Sequence, residues 1–323
     1  MADATTTDAA SPISGESVRR GDRIFGGLSK YAGITVLVIM AAIAVFLVWQ
    51  AIPSLTTNTG NFFTEQSWNP DGDPPIFGIA ALTFGTLVSS AIAMLLAVPV
   101  GVGIALFIVL YAPGRLAAVL AFITDLLAAV PSIIFGLWGL EVLIPGSAGV
   151  QKWMSDYLGW TVIFENTLEL YGKSIFIASI VLAIMILPTV AAVSREVILQ
   201  VPAGHKEAAL ALGATRWEMV RMAVFPFAKP GMISGAMLGL GRALGETIAV
   251  ALILSASFTI NIHLTEPGGN TFAANIALKW NEAGSNGLSA LVASGLVLFF
   301  LTLSVNIVAR WIISRRSEFS GAN

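Results

Sequence analysis

An arginine and a glutamate interrupt one of the most apolar runs in the chain. The run GMISGAMLGLGRALGETIAVALIL starts at Gly231 and carries Arg242 and Glu246 inside it. Four residues apart on a helix, the two share a face and can pair. Such a run can enter a bilayer, where a charge at the centre costs about 2.5–3.5 kcal/mol even on the gentler scale. At about 1.5 Å of rise per residue from Gly231, Arg242 lies roughly 16 Å in, near the midplane of a core about 30 Å thick. An arginine at that depth must face protein or a water-filled path. Its planar guanidinium is shaped for bidentate contact with phosphate-like oxyanions. Two readings stand: a structural ion pair that ties helices together, or a pair that opens when an anion competes for Arg242.

Other polar residues occupy equally apolar surroundings. Asp125 falls about 12–14 Å from the inner end of its run by helix rise and should face inward, to pair with Arg242 or to shape a gate. Pro131 breaks that run and frees a backbone carbonyl, beside which Ser132 can donate its hydroxyl. A local cap is the plainer role for Ser132, as a structural partner is for Asp125. Glycines at 231, 235 and 239, and again at 241 and 245, form small-residue stripes that allow close helix approach in lipid. His205 and His263 show no ligand pattern.

A different chemistry marks the segment 203–226, which is polar and lies between two apolar runs. Pro202 and Gly204 break the chain, and a helix is predicted from near His205, with Glu207 in its first turn where the dipole favours an anion. Ala208, Ala209, Leu210 and Leu212 give it an apolar face, and Gly213 permits a turn. A second piece keeps Arg216, Glu218 and Arg221 wet and has Trp217, Met219, Val220 and Met222 on its greasy side, with Pro226 and Pro230 ending it. Two short helices joined at a glycine make a knob suited to a groove on another protein. The alternative is a helix lying on the inner leaflet.

These residues need a scaffold, and composition specifies which kind. The 323 residues are 56% hydrophobic and 11% charged, with a mean hydropathy of +0.83. A soluble domain carries roughly 25% charge, so lipid must cover most of this chain. Cysteine is absent, which excludes disulfides and thiolate metal sites, and two histidines make a zinc site improbable. Six runs are long enough to cross a bilayer: about 31–52, 78–110, 117–143, 174–194, 231–257 and 287–313. Pro99 and Gly101 interrupt the second. With the N-terminus inside, thirteen basic residues fall on the inner side, among them Arg19, Arg20, Arg23, Arg115, Arg195, Arg315 and Arg316, against Lys152, Lys173 and Lys279 outside. That bias predicts cytoplasmic termini and a cytoplasmic 195–230 segment. The outer loops are then 53–77, 144–173 and 258–286, with Trp68, Trp153, Trp160 and Trp280 at the interface and a short amphipathic helix at 164–171. Residues 1–30 read as a disordered cytoplasmic tail, 31–313 as the membrane domain and 314–323 as a second tail.

Glu207-Ala208-Ala209, three residues, Gly213, and Pro226 thirteen residues later resemble the EAA loop of ABC-importer permeases. Ala223 and Phe225 depart from the family's usual Ile and Leu but remain apolar. LLAAVPSIIFGLWGL from Leu126 and GLGRALGETIAV from Gly239 narrow the likeness to the PstC-type permeases of bacterial phosphate-specific ABC transporters, over most of 30–313. The resemblance implies an all-α, six-helix, type I importer (MetI-like) permease in the bacterial inner membrane. It implies a PstA-type permease partner, a PstB-type ATPase dimer and a PstS-type external phosphate-binding protein, with membrane lipid around the chain and no nucleic acid. It places Glu207, Ala208, Ala209, Gly213 and Arg216 against the ATPase, and Arg242 and Glu246 on the phosphate path, where Asp125, Ser132 and Thr247 join them. No G-x-x-x-x-G-K-[ST] loop occurs, so hydrolysis and ATP-Mg belong to the partner and this chain binds no cofactor. Other readings are an ATP-independent channel or proton-coupled carrier, a permease for molybdate or sulfate, and the PstA-type sister subunit.

Overall fold

The computed structural model describes residues 20–317, apart from the side chains at 20, 22, 23 and 312–317. Arg19 and residues 318–323 lie outside the described residues, as do the side chains of Arg20, Arg23, Arg315 and Arg316. Helices α1 (Arg20–Thr57), α2 (Ala80–Leu106), α3 (Gly114–Ala128), α4 (Ser132–Trp138), α5 (Ile144–Leu158) and α6 (Ile175–Leu199) come first. Then follow α7 (Ala203–Ala211), α8 (Arg216–Met219), α9 (Phe225–Leu244), α10 (Ile248–Ile253), α11 (Phe272–Lys279) and α12 (Ser285–Ser317). A two-stranded antiparallel ribbon, β1 (Trp68–Asn69) and β2 (Ile76–Phe77), sits between α1 and α2. The all-α reading holds. Among the described residues, six helical stretches are long and apolar enough to cross a membrane.

Residues through Trp49 form one unit, and Gln50 onward forms a second. The first consists of most of α1, apolar on all sides with Val36, Leu37, Phe46 and Trp49 exposed, as a helix bathed in lipid should be. It begins at Arg20, so the predicted tail of thirty residues is too long. The second unit is built around α6. Two thirds of the most apolar window of α6 is buried, against about a quarter for α2 and α9. Ile177, Leu182, Met185 and Ile186 of α6 meet Ala93 and Ala97 of α2, and Val250 and Ile253 of α10. The first glycine stripe works as predicted. Side chains at Gly231, Gly235 and Gly239 would press into Val197, Val193 and Val190 of α6, so α9 lies tightly on that helix. A Cβ at Gly241 would meet nothing within 4 Å, so the second stripe is not a packing seam.

Three helical boundaries correct the sequence reading. Pro99 does not divide the second run: α2 passes through it and ends in a π-helical turn at Phe107–Tyr111. Pro131 does divide the third. α4 continues through another π-helical turn, Gly139–Leu143, into α5, so the spanning stretch is Ser132–Thr161 rather than 117–143. Pro145 sits at the start of α5, directly after that π-helical turn. The fifth run is two helices, not one, with a break at Gly245-Glu246-Thr247. No helix forms at 164–171, which is a chain of turns.

Candidate functional site

The break after α9 decides the fate of the predicted ion pair. Because α9 stops at Leu244, Arg242 and Glu246 are no longer on one helical face. Glu246 is buried and turns to α10, where its Oε1 accepts from the backbone N–H of Ala249 at 3.2 Å. It thus satisfies an orphan donor at a helix start. Thr247, half-buried, donates to the carbonyl of Gly245 at 3.1 Å. Arg242, also half-buried, donates to Thr189 Oγ1 of α6 at 3.4 Å and has no carboxylate partner among the described residues. The guanidinium is therefore held by a neutral hydroxyl beside an unfilled hollow of about 790 Å³, which Ser234, Gly241, Asn306 and Arg310 also line.

Asp125 does not approach Arg242. Its Oδ2 pairs with Arg195 of α6 at 3.3 Å, and Arg195 also holds Glu196 at 2.9 Å. Arg195, read from sequence as a loop residue, is the inner end of α6, and the pair ties α3 to it. Ser132 opens α4 directly after Pro131 and its hydroxyl has no hydrogen bond among the described residues. The five predicted path residues thus separate. Arg242, Glu246 and Thr247 cluster around one helix break, whereas Asp125 belongs to an α3–α6 tie and Ser132 to the α3–α4 corner. Thr189 was missed because it does not stand out in its own run, and Arg310 counted only among the inner-side basic residues; only the packing of α6, α9 and α12 brings them to Arg242.

The polar segment forms the predicted helical hairpin with shifted ends. α7 starts at Ala203, behind Pro202, so Glu207 lies just past the first turn. Gly213 adopts φ +85°, the left-handed region that only glycine occupies without strain. Thr215 and Glu218 then form a reciprocal capping box: the Thr215 hydroxyl accepts from the Glu218 N–H, and the carboxylate accepts from the Thr215 N–H at 2.7 Å. Pro226 and Pro230 do not end this piece. A π-helical turn at Val220–Val224 leads straight into α9, and Pro226 sits in the first turn of that helix. Val220 and Val224 are buried with Ala105 and Ile198, anchoring the hairpin's base. Its tip is bare: Glu207 and Ala208 are exposed, Ala209 is half-buried, Leu212 is 90% exposed, and Trp217 is exposed as well. Arg216 reaches back over the Tyr111 ring at 6.0 Å.

The family model described as the binding-protein-dependent transport system inner membrane component matches residues 97–318, a stretch that holds both the hairpin and the α9–α10 break. The chain belongs to that family. It is a multi-pass membrane permease, and it is similar along nearly its whole length to named relatives. Phosphate transport system permease protein PstC 2 of Mycobacterium tuberculosis is 44% identical over 309 residues, covering 94% of this chain and 95% of the relative. PstC of Mycobacterium leprae is 48% identical over 303 residues, with 92% and 95% covered. In shape, the permease resembles a chain of the inward-facing MetNI methionine ABC transporter, with a TM-score of 0.51 at 20% identity, covering 74% of this chain and 94% of that one. That likeness supports the importer-permease fold.

The outer loops carry a polar network of their own. Glu266 is buried and its Oε1 accepts from both the N–H and the hydroxyl of Thr167 at 2.7 Å, while Asn261 donates to Oε2 at 2.5 Å. Burial would raise the carboxyl's pKa, but the Thr167 and Asn261 hydrogen bonds outweigh it and hold the group below its ordinary value. The His263 ring meets the Val162 carbonyl at 2.8 Å and lies 4.0 Å from Glu165. Asp71 accepts from the N–H groups of Gly284 and Gly287 at the start of α12.

Proposed function

We propose that this chain is a membrane subunit of an ATP-driven importer of inorganic phosphate. The observation that carries the reading is its similarity, over more than nine tenths of its length, to permeases named for phosphate transport. Its partners are a PstA-type permease, a PstB-type ATPase dimer that holds ATP-Mg and hydrolyses it, and a PstS-type phosphate-binding protein on the outer face. This chain is not itself an enzyme and needs no cofactor of its own. Both termini and the 203–224 hairpin lie on the cytoplasmic side.

The geometry supports a division of labour. The hairpin, with Glu207, Ala208, Ala209, Gly213 and Arg216, is the surface that meets the ATPase; its bare Leu212 and Trp217 suit a groove. Because the hairpin runs on into α9 without a stop, a push on its tip is transmitted along α9 to the break at 245–247. Arg242, with no carboxylate partner among the described residues, meets the anion; Glu246 and Thr247 hold the break open beside it. Ser132 stands at the neighbouring corner, and Asp125 acts by bracing α6. Family membership argues against an ATP-independent carrier, which has no use for such a hairpin.

Arg242→Gln should cut labelled-phosphate uptake in cells lacking the native chain by at least about tenfold, the worth of one charge-assisted hydrogen bond. The complex should assemble normally. Undiminished uptake would remove Arg242 from the path.

A further inference from the structure

The hollow beside Arg242 contains more than one cation. Ser234, Gly241 and Arg242 come from one face of α9, and Asn306 and Arg310 come from one face of α12. Arg242 and Arg310 are the charged residues in its lining. Neither has an acidic partner among the described residues: Glu246 caps α10, and Asp125 pairs with Arg195. Gly241 leaves open space at the wall next to Arg242. Two guanidinium groups line one hollow, Arg242 half-buried within its span and Arg310 exposed at the inner end of another; they repel each other and so favour a bound anion. Forked donors from opposite sides, with a serine hydroxyl and a carboxamide between, suit a tetrahedral oxyanion better than a spherical one.

We infer that Arg242 and Arg310 together form a two-arginine pocket for an anionic phosphate group, with Ser234 and Asn306 as neutral donors. The inference rests on the phosphate reading above only through their shared residue, Arg242. Ser234 lies in the early turns of α9 and Arg310 in the later turns of the antiparallel α12. The pocket therefore extends from the level of Arg242 toward the hairpin end of the bundle. The same chemistry occurs in free inorganic phosphate and in the headgroup of an anionic phospholipid.

The test uses the assembled complex, without its external binding protein, in nanodiscs of pure phosphatidylcholine or with phosphatidylglycerol added. Equilibrium dialysis with labelled inorganic phosphate, and the amount of phosphatidylglycerol retained on purification, are read for each variant. In phosphatidylcholine, wild type should bind phosphate saturably. Arg310→Gln should weaken binding by about tenfold or more, Arg310→Lys by less, and Ser234→Asp should remove it by adding a carboxylate. If the lipid headgroup is the occupant, phosphatidylglycerol will be retained in an Arg310-dependent way and will displace the label. The pocket is refuted if Arg310→Gln and Ser234→Asp alter neither phosphate binding nor lipid retention, or if wild type shows neither. Should Arg310→Gln fail to assemble, Arg310→Lys and Ser234→Asp decide by the same criterion. Failure here with uptake still lost in Arg242→Gln leaves the transport reading intact. Full uptake in Arg242→Gln, with binding still weakened in Arg310→Gln, refutes the path and leaves the pocket.

Discussion

The loops joining α5 to α6 and α10 to α11 bury polar groups, whereas the hairpin between α6 and α9 exposes apolar ones. In the loops, Thr265, Glu266, Asn270 and Thr271 are all nearly inaccessible, and the carboxylate of Glu266 has three donors within the chain. Backbone bonds stitch the two loops together: Leu264 donates to Ile163 at 2.9 Å, and Gly268 to Lys173 at 3.0 Å. This region is knit together internally, although Asn166 Oδ1 and Thr265 Oγ1 are buried without a partner and Trp160, Leu168, Leu170 and Ile262 stand exposed. The hairpin is the reverse, with a buried base at Val220 and Val224 and a tip that leaves Leu210, Leu212 and Trp217 exposed, Trp217 with its ring edge-on to Phe225. A segment cross-linked by its own hydrogen bonds gains rigidity from them, whereas an exposed apolar tip gains free energy when another surface covers it. In one molecule the outer end is thus a largely finished platform and the inner end half of an interface.

The strongest challenge to the finished platform is a methyl group where α2 meets the loop. Gly85→Ala would collide with the carbonyl oxygen of Asn270, a backbone atom that cannot swing aside. Loss of about 3 kcal/mol is expected, visible as a lowered thermal unfolding temperature of the purified permease. Unchanged unfolding would mean that the loop is not rigid. The inner tip should respond in the opposite sense. Leu212→Asp should leave unfolding within about 0.5 kcal/mol of wild type, yet weaken co-purification of the ATPase subunit by about tenfold or more. Glu207→Lys should act on the same association, and a tip that tolerates both changes has no docking role.

Smaller effects sharpen the picture. Asp71→Ala removes acceptors from two N–H groups at the start of α12 and should cost about 1 kcal/mol in the same unfolding measurement. Glu266 supplies a pH signature. Its folded pKa lies below the ordinary carboxylate value, so its contribution to stability is complete above about pH 4.3, the unfolded value. That contribution is lost as pH falls through the lower, folded pKa. Limited proteolysis between α5 and α6 should therefore accelerate in that acidic window, and in Glu266→Gln the acceleration should disappear. In the hairpin, the Thr215 hydrogen bonds likewise hold the Glu218 carboxyl below its ordinary value, so the readout is confined to cleavage between α5 and α6.

Much of this was readable from the residues alone because the relevant physics is local. Six apolar runs, a break at Pro131, a hairpin hinged at Gly213 and close packing at Gly231, Gly235 and Gly239 all follow from chain length in a bilayer, a missing N–H, a positive φ and the absence of a Cβ. What stayed hidden involved competition between distant partners. Four-residue spacing pairs Arg242 with Glu246 only on an unbroken helix, and nothing in GRALGET announces that α9 ends at Leu244. That ending depends on Glu246 finding the Ala249 N–H and on α10 packing against α4 and α6. Asp125 likewise took Arg195, two helices away, rather than Arg242.

The sequence by itself determined that the chain is an all-helical membrane protein with an arginine at bilayer depth and a polar hairpin at one end, since solvation and backbone geometry depend on residue type. Tertiary structure alone decided which carboxylate each arginine meets, where the helices stop, and that Arg310 shares a hollow with Arg242. Those outcomes depend on which side chains lie within a few ångströms once the helices have packed, and in a low-dielectric interior the nearest partner prevails.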